Sequence, residues 1–200
     1  LQSNTVNDSI NLSGSMGDTS YTSSLGNYHS ASFTLDAKHT GSAGLSTDAH
    51  PPKFGASSFY SDGSGGITIS GSADGVTLDE LAFGTGDFTV EYWVRFDDIT
   101  TSTYHELVDF RQAANSETQI VIYTDGSARD VRYYMAGGDR IDVPTIINND
   151  VWQHHALVRY NAVTTFYIDG KPRGTYADTN NITVAPNAIH FGRHFSNDTN

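Results

Sequence analysis

The sequence predicts an all-β domain, built as a sandwich or a barrel. Phe88–Phe96 alternates without a break, with Phe88, Val90, Tyr92, Val94 and Phe96 on one face and Thr89, Glu91, Trp93 and Arg95 on the other. That period of two belongs to a half-buried strand. Val151–Arg173 reads as two strands and an Asp169-Gly170 turn that starts a third. Asp-Gly suits a type I′ hairpin, whose two central residues both need positive φ. No segment carries three turns of amphipathic helix, whereas short strand patterns recur between turn signals such as Asp125-Gly126 and Gly137-Gly138.

Residues 1–52 are rich in Ser, Thr and Gly and poorly patterned, apart from Ser32-Phe33-Thr34-Leu35. They are expected to form a loop-rich N-terminal arm or the first strands. The alternative is an edge strand docked on the main sheet or on a neighbouring subunit. His50-Pro51-Pro52-Lys53 then breaks the chain, because each proline restricts itself and the residue before it. From residue 53 to 200 the strand signals become regular. Strands are expected at Ser57–Ser61, Ile67–Ser70, Phe88–Phe96, Glu106–Arg111, Gln119–Thr124 and Val131–Met135. Others are expected at Trp152–Tyr160, Thr164–Ile168 and Ala188–Phe195, with one helical turn at Val76–Leu81. In Trp152–Tyr160, Trp152, His154, Ala156, Val158 and Tyr160 share one face; in the next strand Phe166 and Ile168 share another.

Two hundred residues suffice to bury a core without staples, and there is no cysteine for disulfides or thiolate metal sites. The net charge is −12, from 11 basic and 23 acidic residues. Such a chain repels phosphate backbones and anionic lipid, which argues against nucleic-acid and membrane-surface partners. No run approaches the roughly 20 apolar residues of a membrane-spanning helix. The chain opens at Leu1 and shows no signal peptide, so it reads as a piece of a longer polypeptide. Its Ser, Thr, Asn and Gly content suits exposed loops on an extracellular or virion surface.

Four phrases in order carry a family resemblance. Lys53-Phe54-Gly55-Ala56-Ser57-Ser58-Phe59-Tyr60-Ser61-Asp62-Gly63 comes first, and Gly86-Asp87-Phe88-Thr89-Val90-Glu91-Tyr92-Trp93-Val94 second. Trp152 to Arg159 (W-x-H-x-A-L-V-R) and Tyr167 to Pro172 (Y-I-D-G-K-P) follow, with a closing strand at Ile189 to Gly192. Together they resemble the concanavalin A-like lectin/glucanase superfamily, closest to its laminin-G-like and pentraxin-like domains. The resemblance implies an antiparallel jelly roll of two sheets over residues 53–200. It also implies a further strand that would follow Asn200. Similar modules occur in bacteriophage fibre and capsid-associated proteins and in secreted bacterial adhesins. The expected function is non-catalytic attachment, with a glycan or a neighbouring structural subunit as partner and a homo-oligomer as one mode of assembly.

The superfamily includes glucanases, whose retaining members need two carboxylates about 5–5.5 Å apart. No E-x-D-x-E triplet is present. Glu106 and Asp109 lie three apart and would face opposite ways on a regular strand. No enzyme is therefore expected. His105-Glu106-Leu107-Val108-Asp109 lacks the helix and second histidine of a zinc motif. The doublet His154-His155 faces two ways, and His190 and His194 would stand roughly 13 Å apart on one strand. The pentraxin resemblance implies calcium at one rim, with Asn115 from the first rim loop and Asn197 and Asp198 from the second; Asp62 is a further candidate ligand. These supply few of the six to eight oxygens that calcium takes. Trp93 and Trp152 could stack on sugars but sit in sandwich-building phrases. Tyr104, Tyr123, Tyr134 and Tyr176 are the candidate exposed aromatics for a ligand.

Overall fold

The computed structural model describes residues 10–14, 33–39, 44–46, 51–55, 57–61, 65–71, 78, 82–99, 104–111, 118–183 and 188–195. The expected helical turn falls largely outside these, with only Leu78 described. Among the described residues, fourteen strands form three antiparallel sheets. An eight-stranded sheet runs in the order β1 (Ile10–Gly14), β2 (Phe33–His39), β5 (Ile67–Gly71), β14 (Ala188–Phe191), β7 (Tyr104–Asp109), β8 (Val121–Asp125), β9 (Val131–Met135), β10 (Gly138–Val143). A four-stranded sheet runs β13 (Lys171–Ala177), β12 (Val163–Ile168), β11 (Gln153–Tyr160), β6 (Phe88–Val94). A short hairpin-like pair, β3 (Gly44–Ser46) and β4 (Ser58–Tyr60), stands apart. The two large sheets pack face to face, so the chain is a jelly-roll sandwich.

Alternation decides the layer between them. Phe88, Leu157, Phe166 and Ile168 point in from the small sheet; Val108, Ile122, Val131, Tyr133, Met135, Ile141 and Val143 point in from the large one. Burial of these apolar side chains contributes roughly 25 cal/mol for each Å² removed from water. The strand β10, unmarked in the sequence reading, is set by the inward pair Ile141 and Val143 behind the Ala136-Gly137 turn. Along one side, Gly174 lies so near Ile141 that a Cβ would come within 2.5 Å of its Cγ2. Only glycine allows the edge strands of the two sheets to approach this closely. The expected turn at Asp169-Gly170 is present, with φ of 51° and 73°.

The expected strand Trp152–Tyr160 presents His154, Ala156, Val158 and Tyr160 outward, while His155, Leu157 and Arg159 face the core. Arg159 is 1% exposed and clamps the lid of the sandwich. Its Nε donates to Gly86 O at 2.7 Å, Nη2 to Gly84 O at 2.6 Å and Nη1 to Asn180 O at 2.9 Å. The guanidinium also lies 4.9 Å from the Phe88 ring centroid and 3.7 Å from the buried Asp178 carboxylate.

His155 is fully buried, 3.3 Å from Tyr92 Oη through Nδ1. Burial pushes its pKa down from 6.5 to about 4. The unfolded chain then binds more protons than the folded one between those two values, so stability falls as pH drops through that window. The expected loss is on the order of 3 kcal/mol. Denaturant titrations at pH 7 and pH 4 should show it, and His155→Gln should flatten the difference; an unchanged pH dependence in that variant would remove His155 as its source.

Candidate functional site

The outward face of β7, β8 and β9 carries the site. With Val108, Ile122, Val131 and Tyr133 turned inward, the alternate positions Glu106, Val121, Tyr123, Arg132 and Tyr134 must point out. Register then sets neighbours: Glu106 stands opposite Tyr123, Tyr123 opposite Arg132, and Val121 opposite Tyr134. An open cleft of about 240 Å³ results, lined by Tyr104, Glu106, Val121, Tyr123 and Tyr134 of the sheet, with Arg111 and His194. Three of the four candidate tyrosines therefore meet in one place. Tyr176, the fourth, packs against the core from β13 with Arg140 5.5 Å from its ring centroid.

A β-bulge falls between Glu106 and Val108. It alters the expectation that Glu106 and Asp109 face opposite ways. The extra residue resets the alternation, so both lie on the outer face while Val108 and Phe110 stay in the core. Asp109 is nevertheless fully buried, because Arg111 lies over it. Arg111 donates to it through its backbone N (3.0 Å), Nε (2.9 Å) and Nη2 (2.9 Å), and Phe195 N donates at 3.1 Å. Both Asp109 oxygens are thus committed, a poor arrangement for a nucleophile. Burial works against the Arg111 charge, but the Asp109 hydrogen bonds outweigh it and raise its pKa. The Arg111 guanidinium is also flanked by the rings of Phe195 at 5.0 Å and Tyr134 at 5.6 Å. It is a rigid, oriented cation at one wall of the cleft.

The opposite wall is aromatic and acidic. Tyr104 and Tyr123 meet edge to face at 5.5 Å. Tyr123 Oη donates to Asp139 Oδ1 at 2.8 Å, and burial raises its pKa. Arg132 lies 5.8 Å from the Tyr123 ring centroid and donates through Nε to Asp130 at 2.8 Å. Asp125, Asp139 and Asp142 also lie within 3.9 Å of its guanidinium. Aromatic faces beside fixed donors and acceptors can stack on an apolar ring face and bond to its hydroxyls. The sequence reading missed Arg111, Arg132 and Asp139. The outward alternation Arg132-x-Tyr134 was the available signal.

His194 was expected on a strand with His190. Instead β14 ends at Phe191 and Gly192 takes φ +70°, which turns His194 out of the strand to within 3.9 Å of Glu106. His190 Nδ1 lies 3.1 Å from Thr68 Oγ1 on β5. His154 and His155 do face opposite sides, His154 lying 3.3 Å from Glu91. Trp93 is 40% exposed on the outside of the small sheet, but Lys53 Nζ sits 4.2 Å above its ring and Phe54 meets it edge to face. Trp152 Nε1 donates to Pro51 O at 3.2 Å. Both tryptophans thereby fasten residues 51–54 to the sheet. The calcium candidates Asp62, Asn115, Asn197 and Asp198 lie outside the described residues. Among the described residues, no group of three or more His, Asp or Glu could hold a metal ion, and no helix is long and apolar enough to cross a membrane.

Fold and face together define an antiparallel jelly roll with an aromatic, charged cleft on its larger sheet. The family model Laminin_G_3, of the concanavalin A-like lectin/glucanases superfamily, matches residues 70–200, and the chain belongs to that family. No curated protein matches the sequence. Among solved structures, domain 4 of AbnA, an extracellular arabinanase of Geobacillus stearothermophilus solved in complex with arabinotriose, is similar at 16% identity and a TM-score of 0.55. The match covers 82% of this chain and 76% of that one. The botulinum neurotoxin serotype D binding domain is similar at 10% identity and a TM-score of 0.54, over 80% of this chain and 40% of that one. At these identities the likeness is one of fold.

Proposed function

We propose that the chain is a non-catalytic recognition module that binds a glycan in the cleft between Tyr104, Tyr123, Tyr134 and Arg111. The observation that supports this reading most is the convergence of three part-exposed tyrosines with an oriented arginine on an open sheet face. The commitment of Asp109 to Arg111 and Phe195 supports the absence of catalysis. The module is displayed on a phage fibre or capsid-associated protein, or on a secreted adhesin, and so works outside the cell. Isolation of a repeating array or trimer favours the virion; a monomer favours the adhesin.

A glycan array that includes arabino-oligosaccharides, the ligand class of the AbnA domain, tests binding. Tyr123→Ala is expected to weaken any retained glycan by about tenfold or more, the loss of one stacking ring and its neighbours. No retained glycan, with or without calcium, would sink the lectin reading. Release of reducing ends from β-glucans would overturn the non-catalytic one. Calcium is proposed at the rim through Asn115, Asn197 and Asp198. The described residues offer it no ligand set, so a thermal scan decides: at calcium 100 times its Kd, stabilisation should reach roughly 2.7 kcal/mol. Identical melting in calcium and in EDTA would remove the ion from the proposal.

A further inference from the structure

The small sheet has its own outward groove, on the opposite side of the sandwich from the cleft. It has a volume of about 320 Å³ and is lined by Val158, Tyr160, Asn161, Val163, Thr165 and Tyr167. Tyr160 opposes Val163, and Ala156 opposes Tyr167, so the two tyrosines stand four positions apart along the strands and one strand apart. Their backbones are therefore about 14 Å from each other. Tyr160 is 73% exposed and Val163 43%. Between the rings the floor is Val158, Val163 and Thr165.

We infer that this groove is a second ligand site, and that its ligand is a neutral oligosaccharide. In a chain of net charge −12, no charged side chain lines the groove. The flanking positions set by register are Thr89 on β6 and Pro172, Thr175 and Ala177 on β13, also uncharged. The charged neighbours stand at its two ends, Asp87 bonded to Asn161 N and Arg173 at the β13 bulge beside Tyr167. The nearest acid along β6, Glu91, is paired with His154. Between those ends the lining offers a charged polymer no counter-charge, and a neutral one meets no repulsion there.

The polar groups point the same way. Among the described residues, the Tyr160 and Tyr167 hydroxyls, the Thr165 hydroxyl and the Asn161 carboxamide have no hydrogen-bond partner. An apolar floor ringed by unengaged donors and acceptors matches a molecule with apolar ring faces and hydroxyl edges. The groove is also held in shape. Asn161 and Ala162 form a two-residue turn with φ of 49° and 59°. Asn161 N donates to Asp87 Oδ1 at 2.9 Å, and Ala162 O accepts from Asp178 N at 2.8 Å. A preformed site spares the ligand the entropy of ordering it. A second copy of the chain is a weaker occupant. Four strands by four residues give a footprint of roughly 200 Å², against about 800 Å² per partner in a stable interface.

The test is amide chemical-shift mapping on the whole chain with cellohexaose, laminarihexaose, arabinohexaose and, as the charged counterpart, hexagalacturonate. At least one neutral hexasaccharide is expected to shift the amides of residues 158–167. Tyr160→Ala and Tyr167→Ala should each weaken that binding about tenfold or more. Both side chains reach solvent, so circular dichroism should confirm an intact fold. Tyr123→Ala, in the cleft of the large sheet, should leave these shifts unchanged, which separates this site from the first. Three results would overturn the inference: no neutral probe moving these amides at millimolar concentration, hexagalacturonate moving them equally, or the same amides shifting on dilution as a dimer dissociates.

Discussion

Arg159→Met is expected to cost the domain roughly 3–5 kcal/mol, the range for breaking a buried ion pair from one side. The methionine fills most of the volume but donates nothing. The carbonyls of Gly86 and Asn180 would lose their Arg159 donors, Gly84 O would keep only Ile182 N, and Asp178 would keep Thr164 and Asn180 but lose its buried cation. For a domain of this size that corresponds to a fall in Tm of roughly 6–20 °C. Arg159→Lys should fall between, since lysine keeps the charge but cannot fork to three acceptors. A methionine variant within 1 kcal/mol of the parent in urea unfolding would show that the clamp contributes little.

Asp109→Ala should do comparable damage and also disable the cleft. Asp109 receives four hydrogen bonds, three from Arg111 and one from Phe195, and both it and Arg111 are buried. Removing it strands a buried guanidinium, again a loss of roughly 3–5 kcal/mol. It also frees the turn that carries His194 and Phe195. Asp109→Asn is the informative partner. It preserves the shape and part of the bonding, so the fold should survive better while Arg111 loses its orientation. Glycan affinity that stays at the parental level in a folded Asp109→Asn protein would mean that Arg111 is not a ligand-facing donor.

The sandwich was legible in the sequence because burial imposes a period of two. Phe88–Phe96 and Val131–Met135 could hardly be read otherwise, and Asp169-Gly170 fixed a hairpin by its backbone demand alone. The cleft was legible only as a scatter of tyrosines. Tyr104, Tyr123 and Tyr134 are brought together by strand order, in which β7, β8 and β9 adjoin, and no local pattern encodes that. Tyr176 looked equivalent in sequence and turned inward, because its strand closes the side of the sandwich at Gly174 and Ile141. Arg111 was hidden for another reason: its partner Asp109 is displaced by a bulge, which breaks the alternation used to assign faces. Arg159 stood in plain view within a family phrase, yet nothing in the phrase says that a cation is buried.

That bulge gives the large sheet an unusual freedom. On one side of it Val108 and, just past the strand, Phe110 stay in the interior, and on the other Tyr104 and Glu106 look out. Excising Leu107 would restore regular pairing, with Glu106 still opposite Tyr123 and Tyr104 still opposite Asp125. Tyr104 and Glu106 would stay on the surface, and the interior would lose only Leu107, which packs against the core. A change of chain length by one residue is thus absorbed at the bulge without changing what this face displays. The bulge therefore marks where this sheet tolerates a gained or lost residue, whereas the same change in a regular strand would turn every side chain over.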